Sequence, residues 1–151
     1  MGSAPRLRRA ERSEADAIAA LFRNVRTTNL PYLREFWTPD DDRCFFERRV
    51  LVECVVWVAE DESGLAGFCA FHEGWIAHLY VRPDRQGLGI GSALLAKAQA
   101  AWPRLQLWVF QRNEAARGFY AARGFREVER TDGADNAERE PDVRMEWARD
   151  G

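Results

Sequence analysis

Arg85-Gln86-Gly87-Leu88-Gly89-Ile90-Gly91-Ser92-Ala93-Leu94-Leu95 is the stretch on which the reading of this chain turns. An apolar, strand-like segment, Trp75 to Val81, and a turn at Arg82-Pro83-Asp84 precede it. An alanine- and leucine-rich helix follows it. Glycines at alternate positions leave the backbone bare, so a ligand can approach closely. The first turn of the helix offers unpaired N–H groups and the positive end of its dipole. Together these predict an anion site suited to phosphate or pyrophosphate.

Two phosphate loops fit poorly. A P-loop ends in Gly-Lys-Ser/Thr, and Gly91-Ser92 has no lysine between its residues. A dinucleotide fingerprint needs G-x-G-x-x-G, whereas this run reads G-x-G-x-G and then Ser92-Ala93-Leu94. The pattern it does match is Q-x-x-G-x-G on Gln86, Gly89 and Gly91. With Leu79-Tyr80-Val81 before it, and Asn113, Tyr120 and Gly124-Phe125 after, the chain resembles the GCN5-related N-acetyltransferase (GNAT) family over about residues 5 to 147.

Composition agrees with one globular unit. The chain has 151 residues, 46% hydrophobic and 30% charged, with a net charge of −2. A single domain over residues 1–151 is expected, with a core of its own. The charge argues against a nucleic-acid partner, and no apolar run approaches membrane-spanning length. Cys44, Cys54 and Cys69 form no disulfide framework or zinc spacing. A reduced, cytoplasmic setting is the simplest reading.

Local patterns predict the order of elements. Pro5 to Ala10 reads as a strand, and Ser13 as the cap of a helix carrying Ala17, Ile18, Leu21, Phe22 and Val25. Thr27 to Pro39 reads as a loop with a short helix, carrying Leu30, Tyr32, Leu33, Phe36 and Trp37. Asp40-Asp41-Asp42 opens a second helix to about Leu51. Strands follow at Cys54–Glu60, Leu65–His72 and Trp75–Val81, then the glycine loop and a helix to Trp102. Leu105–Phe110 is a strand, Asn113 caps a helix to Arg123, and Phe125–Arg130 and Val143–Trp147 are the last strands. The polar stretch Thr131–Asp142 between them, with Asp132, Asp135, Glu138, Glu140 and Asp142 against Arg139, is read as a solvated turn, the competing reading being a loop that draws in a cationic amine. The prediction is an α/β fold with a mixed, largely antiparallel sheet of about seven strands flanked by helices.

The resemblance implies more. It implies splayed fourth and fifth strands with acetyl-CoA between them, and no metal. Pantetheine then lies along the backbone of Leu79, Tyr80 and Val81, and pyrophosphate along Gln86, Gly87, Leu88, Gly89, Ile90, Gly91 and Ser92. Arg82, Arg85 and Lys97 are available to add charge, plain exposed cations being the competing reading. Asn113, Ala116 and Tyr120 share one helix face toward the cofactor. Tyr120 is the candidate general acid, because a phenol keeps its proton at pH 7; simple packing against Phe119 is the alternative.

The acceptor side is less determined. Many members of the family place a glutamate on the fourth or fifth strand, where this chain has Trp75, Ala77 and Trp108. His78 is then the candidate base, with His72, Glu73 or a water chain as alternatives. Tyr32, Trp37, Trp75 and Trp108, with Leu30, are candidate walls of an amine pocket, against a core-packing reading of each. The resemblance thus implies acetyl transfer to a primary amine, most simply on a small molecule. A peptide N-terminal or lysine acetyltransferase, or a non-catalytic acyl-CoA-binding sensor, is the alternative. The last strand, if exposed, offers an edge for a homodimer.

Overall fold

The computed structural model describes residues 4–33 and 37–150. Seven strands form one sheet: β1 (Arg6–Arg9), β2 (Val55–Asp61), β3 (Gly64–His72), β4 (Trp75–Val81), β5 (Arg104–Phe110), β6 (Arg126–Thr131) and β7 (Asp142–Ala148). Their order across the sheet is β1-β2-β3-β4-β5-β7-β6. All neighbours are antiparallel except β4 and β5. The helices are α1 (Ala15–Asn29), α2 (Pro39–Phe45), α3 (Leu51–Glu53), α4 (Ile90–Ala101) and α5 (Glu114–Ala121). Among the described residues, no helix is long and apolar enough to cross a membrane.

Both faces of the sheet are covered. Side chains alternate along a strand, so β3 sends Phe68 and Ala70 to one face and Cys69 and Phe71 to the other. The first face packs on Ile18, Leu21 and Val25 of α1 and on Phe46 and Val50. The second packs on Leu94 and Leu95 of α4 and on Tyr120 of α5. Because both faces are buried, β3 reads as a continuous apolar run from Leu65 to Phe71.

Several local expectations are corrected. Ser13 is not a helix cap: Glu11 and Glu14 form a reciprocal capping box around a short 3₁₀ turn, Arg12–Glu14, and α1 starts after it. Helix α1 also runs through Thr27–Asn29, past the predicted start of the loop. The Thr27 hydroxyl donates back to Arg23 O at 3.0 Å, which satisfies it inside the helix. Phe36 lies outside the described residues. The second helix is capped by Thr38, which exchanges bonds with Asp41, and it passes through a π-turn at Phe46–Val50 that buries both ends of that turn.

The last strand is not an edge. β7 lies between β5 and β6, so the free edges are β1 and β6. Edge strand β6 carries a bulge at Val128 and is lined by Arg117–Glu127 and Arg144–Glu129 ion pairs. Bulges and charges of this kind oppose edge-to-edge pairing.

Candidate active site

The gap between β4 and β5 organises the site. Two parallel strands would normally pair along their length, yet only Trp75 and Gln106 are in register. Beyond that point the strands part. β4 also carries a bulge: Ala70 faces His78 and Phe71 faces Ile76, so Ala77 is the extra residue. The β4 edge facing the gap therefore presents backbone groups that β5 does not take up. A cleft of about 100 Å³ lies there, lined by Leu30, Ala77, His78, Tyr80, Trp108 and Tyr120, with Leu79, Asn113 and Ala116 on its wall.

At the open end of the gap lies the glycine loop. Gly89 sits at φ 86°, a left-handed conformation that glycine adopts without strain, and immediately precedes α4. The first residue of α4 to reach back one turn is Ala93, whose N–H donates to Gly89 O at 3.1 Å. The N–H groups before it lack an intrahelical acceptor. A shallow basin of about 260 Å³ opens here, lined by Gly87, Gly89, Gly91, Ser92, Phe119 and Arg123. Leu88 is exposed at the loop tip, while the Ile90 side chain is buried.

Gln86 acts as a strut. Its Nε2 donates to Val81 O at 2.9 Å and to Asn29 Oδ1 at 3.0 Å, tying the loop to β4 and α1. The nearby cations are largely committed. Arg85 donates to Asp61 at 2.7 Å and Arg82 to Asp84 at 2.6 Å, which holds both carboxyls below their usual range. Lys97 lies 4.4 Å from the centre of the Trp57 ring. Arg123, missed in the sequence, faces the basin: it donates to Ser92 Oγ at 2.8 Å and lies 3.8 Å over the Phe119 ring. Its position just beyond α5, one turn from Phe119, was the available signal.

Helix α5 supplies the rear wall. Asn113 Oδ1 accepts from Ala116 N–H at 3.2 Å, so the side chain is the helix cap and lines the cleft as well. Tyr120 is buried against Phe119 and Phe125, each at 5.2 Å between ring centres. Burial drives its phenol well above the ordinary range.

His78 approaches from the other face. Its ring lies 5.4 to 5.9 Å from those of Phe22, Phe45 and Phe46, and its Nδ1 is buried without a partner. Burial in this aromatic nest, helped by the Arg26 charge, lowers its pKa to about 4. It is therefore neutral at pH 7 and a weak proton acceptor, unlike the near-neutral base the sequence suggested.

The aromatic walls divide. Trp108 lines the cleft, but Trp75 sits at the closed end of the gap, outside the lining. Trp37 is 58% exposed and also outside it. Tyr32 lies under Arg112, 4.8 Å from guanidinium carbon to ring centre. His72 and Glu73 are exposed at the turn preceding β4, the end where the strands are still paired.

The Thr131–Asp142 segment is a turn with an exposed outer side and an ordered inner one. Asp142 accepts from the Thr131 hydroxyl, and Asn136 donates to Glu140 O at 2.7 Å. Glu140 is 7% exposed, with Oε2 2.9 Å from Arg112 Nε, an ion pair outside good hydrogen-bond angles. Glu138 Oε2 lies 3.7 Å from Arg26 Nη2 on α1. The Glu138–Arg26 contact ties this loop to α1, and both residues lie close enough to Tyr80 to act on its hydroxyl.

Comparison with known proteins follows the same lines. The family model for the acetyltransferase (GNAT) domain matches residues 53–127. The peptidyl-lysine N-acetyltransferase YiaC of Escherichia coli (strain K12) is 34% identical over 125 residues, 82% of this chain and 84% of YiaC. The peptidyl-lysine N-acetyltransferase YjaB of the same strain is 30% identical over 128 residues, 83% of this chain and 85% of YjaB. The solution structure of apo YjaB from Escherichia coli superimposes with a TM-score of 0.75 at 27% identity, covering 96% of this chain and 98% of that one. The PaiA N-acetyltransferase of Thermoplasma acidophilum, solved with coenzyme A, shares the fold with a TM-score of 0.75 at 19% identity, over 97% of this chain and 99% of that one. With these relatives, and with a sheet parted at β4 and β5 beside a glycine-rich helix start, the chain belongs to the GNAT family of N-acetyltransferases.

Proposed function

We propose that this enzyme transfers the acetyl group of acetyl-CoA to a primary amine carried on an alkyl stem, by direct attack in a ternary complex. The observation that carries the reading is the cleft between β4 and β5, reached by Tyr120 from α5 and by His78 from the α1 side. A thin pantetheine arm fits such a gap as an added strand, pairing with the backbone of Leu79 to Val81. The basin at Gly87–Ser92, with Arg123, receives the pyrophosphate.

The chemistry then balances. The amine nitrogen attacks the thioester carbonyl, the C–N bond forms, and the C–S bond breaks with its electron pair on sulfur. A backbone N–H near the Ala77 bulge steadies the carbonyl oxygen as it gains charge. Tyr120 presents its O–H to the departing sulfur. Its raised pKa makes a lone phenolate costly, so it acts by donating a hydrogen bond. The ammonium form gives up two protons: the first leaves through His78 or a water chain beside it before attack, and the second, released from nitrogen as the C–N bond forms, ends on the departing sulfur as the thiol.

The lysine side chain of a peptide is our preferred acceptor, supported by the likeness to the peptidyl-lysine N-acetyltransferases YiaC and YjaB. A small-molecule amine is the second reading, favoured by the narrow cleft behind the Arg26–Glu138 bridge. Thiol release should be followed with acetyl-CoA against a panel of lysine peptides and free alkyl amines, with acetylation mapped by mass spectrometry. Turnover of peptides alone selects the first reading, turnover of free amines alone the second. Release with neither rejects amine transfer.

A further inference from the structure

We propose that Glu138 is the ammonium-binding residue of the acceptor subsite, exchanging Arg26 for the incoming cation. This rests on amine transfer as the reaction, since an amine arrives as its ammonium form. A cation entering in front of His78 needs an anionic partner, because Arg26 stands at the same mouth and repels it. Three carboxylates of the 131–142 loop pair with other side chains. Asp142 is spent on Thr131 and Asn136. Glu140 is buried and fixed at 2.9 Å to Arg112. Glu138 differs from both: it contacts Arg26 at 3.7 Å, beyond hydrogen-bond length, and its side chain keeps 20% of its surface accessible. Its charge reaches the Tyr80 hydroxyl on the cleft wall. A loose, partly open ion pair is weak, so an ammonium that donates directly to the carboxylate can replace it.

Arg26, which also hydrogen-bonds the Tyr80 hydroxyl, is then the cation that competes with the substrate for Glu138. It sits on the α1 face between Phe22 and Leu30, with its guanidinium 5.2 Å from the Phe22 ring centre. Removing it frees Glu138, whereas removing Glu138 leaves an unopposed cation. The two substitutions should therefore act in opposite directions on cationic acceptors. If the pair were only a structural latch, either substitution would break the same bridge and both would act alike.

The test titrates 1,5-diaminopentane by calorimetry into protein saturated with coenzyme A, a readout that needs no turnover. Glu138→Gln is expected to weaken binding about tenfold or more, the size of losing one charge-assisted contact. Arg26→Met is expected to tighten binding severalfold. Affinity for coenzyme A itself should stay within twofold of the parent in both, showing that the fold and cofactor half are intact. In steady-state assays the same variants should move KM in these directions with little change in kcat. Variants shifting together, or a diamine affinity unmoved by Glu138→Gln, overturn the assignment. A parent that binds the diamine but acetylates no amine instead overturns the proposed reaction while leaving the binding result standing.

Discussion

Tyr120 and His78 line one cleft from opposite faces of the sheet. Tyr120 belongs to the core beneath α4 and α5, whereas His78 belongs to the aromatic nest beneath α1 and α2. They meet only because β4 and β5 part beyond Trp75 and Gln106. In the proposed reaction, the gap gives amine and acetyl-CoA separate approaches, as a ternary-complex transfer requires.

Tyr120→Phe should keep the fold and the affinity for acetyl-CoA but lower kcat by about 10²–10³-fold, the size of losing one preorganised hydrogen-bond donor. The ring stays to pack on Phe119 and Phe125, so only the hydroxyl is lost. Turnover equal to the parent, with a good acceptor, would show Tyr120 to be a packing residue.

His78 should set part of the pH dependence of stability. In the unfolded chain it takes a proton near 6.5, but in the folded protein only near 4. Between those values the unfolded state binds more protons. Stability is therefore lost as pH falls from about 6.5 toward 4, and the loss levels off below. The gap corresponds to on the order of 3 kcal/mol. His78→Gln should remove this component, seen as a smaller change in denaturation midpoint between pH 7 and pH 4. In kcat/KM, any limb owed to His78 should lie near pH 4 rather than 6.5, and it should vanish in the same variant.

Gly89→Val should impair the cofactor half alone. No atom lies within 4 Å of an added Cβ, so the free protein has room for it. The cost comes from φ 86°, about 1–2 kcal/mol for an L side chain, and from blocking close approach of phosphate to the bare backbone. Calorimetry should show acetyl-CoA affinity reduced at least tenfold in a protein that still melts cooperatively. Unchanged affinity would remove the loop from the site.

Gly133→Ala should impair the acceptor half alone. A Cβ there would lie 2.4 Å from the Glu140 carbonyl carbon, and φ is 84°. The loop must shift, carrying Glu138 and Glu140 away from Arg26 and Arg112. The expected result is a lower Tm and a higher KM for amine, with acetyl-CoA affinity retained. An unchanged KM would show that the loop does not shape the acceptor mouth.

The elements around the glycine loop were legible because their signals are local. Strand β4, the turn, the glycines and the start of α4 are contiguous, and Asn113, Ala116 and Tyr120 are set on one face by the helical repeat alone. Charge and hydroxyl details misled at Ser13 and Thr27, where side-chain bonds to nearby backbone decide a helix end within a few residues. Likewise, a polar composition hid the order inside Thr131–Asp142, since ion pairs to Arg26 and Arg112 leave no periodic trace.

By itself, then, the sequence determined the kind of sheet, the phosphate-loop pattern and the helix that carries Tyr120. All of these follow from backbone periodicity and residue type over a few turns. Tertiary structure alone decided that β7 is interior and that Trp37 and Trp75 stand outside the cleft. It also decided that His78 is held neutral among aromatic rings and that Glu138 faces Arg26 across the open end of the gap. The reason is physical: desolvation and ion pairing depend on which distant segments pack together, and packing is a property of the whole chain.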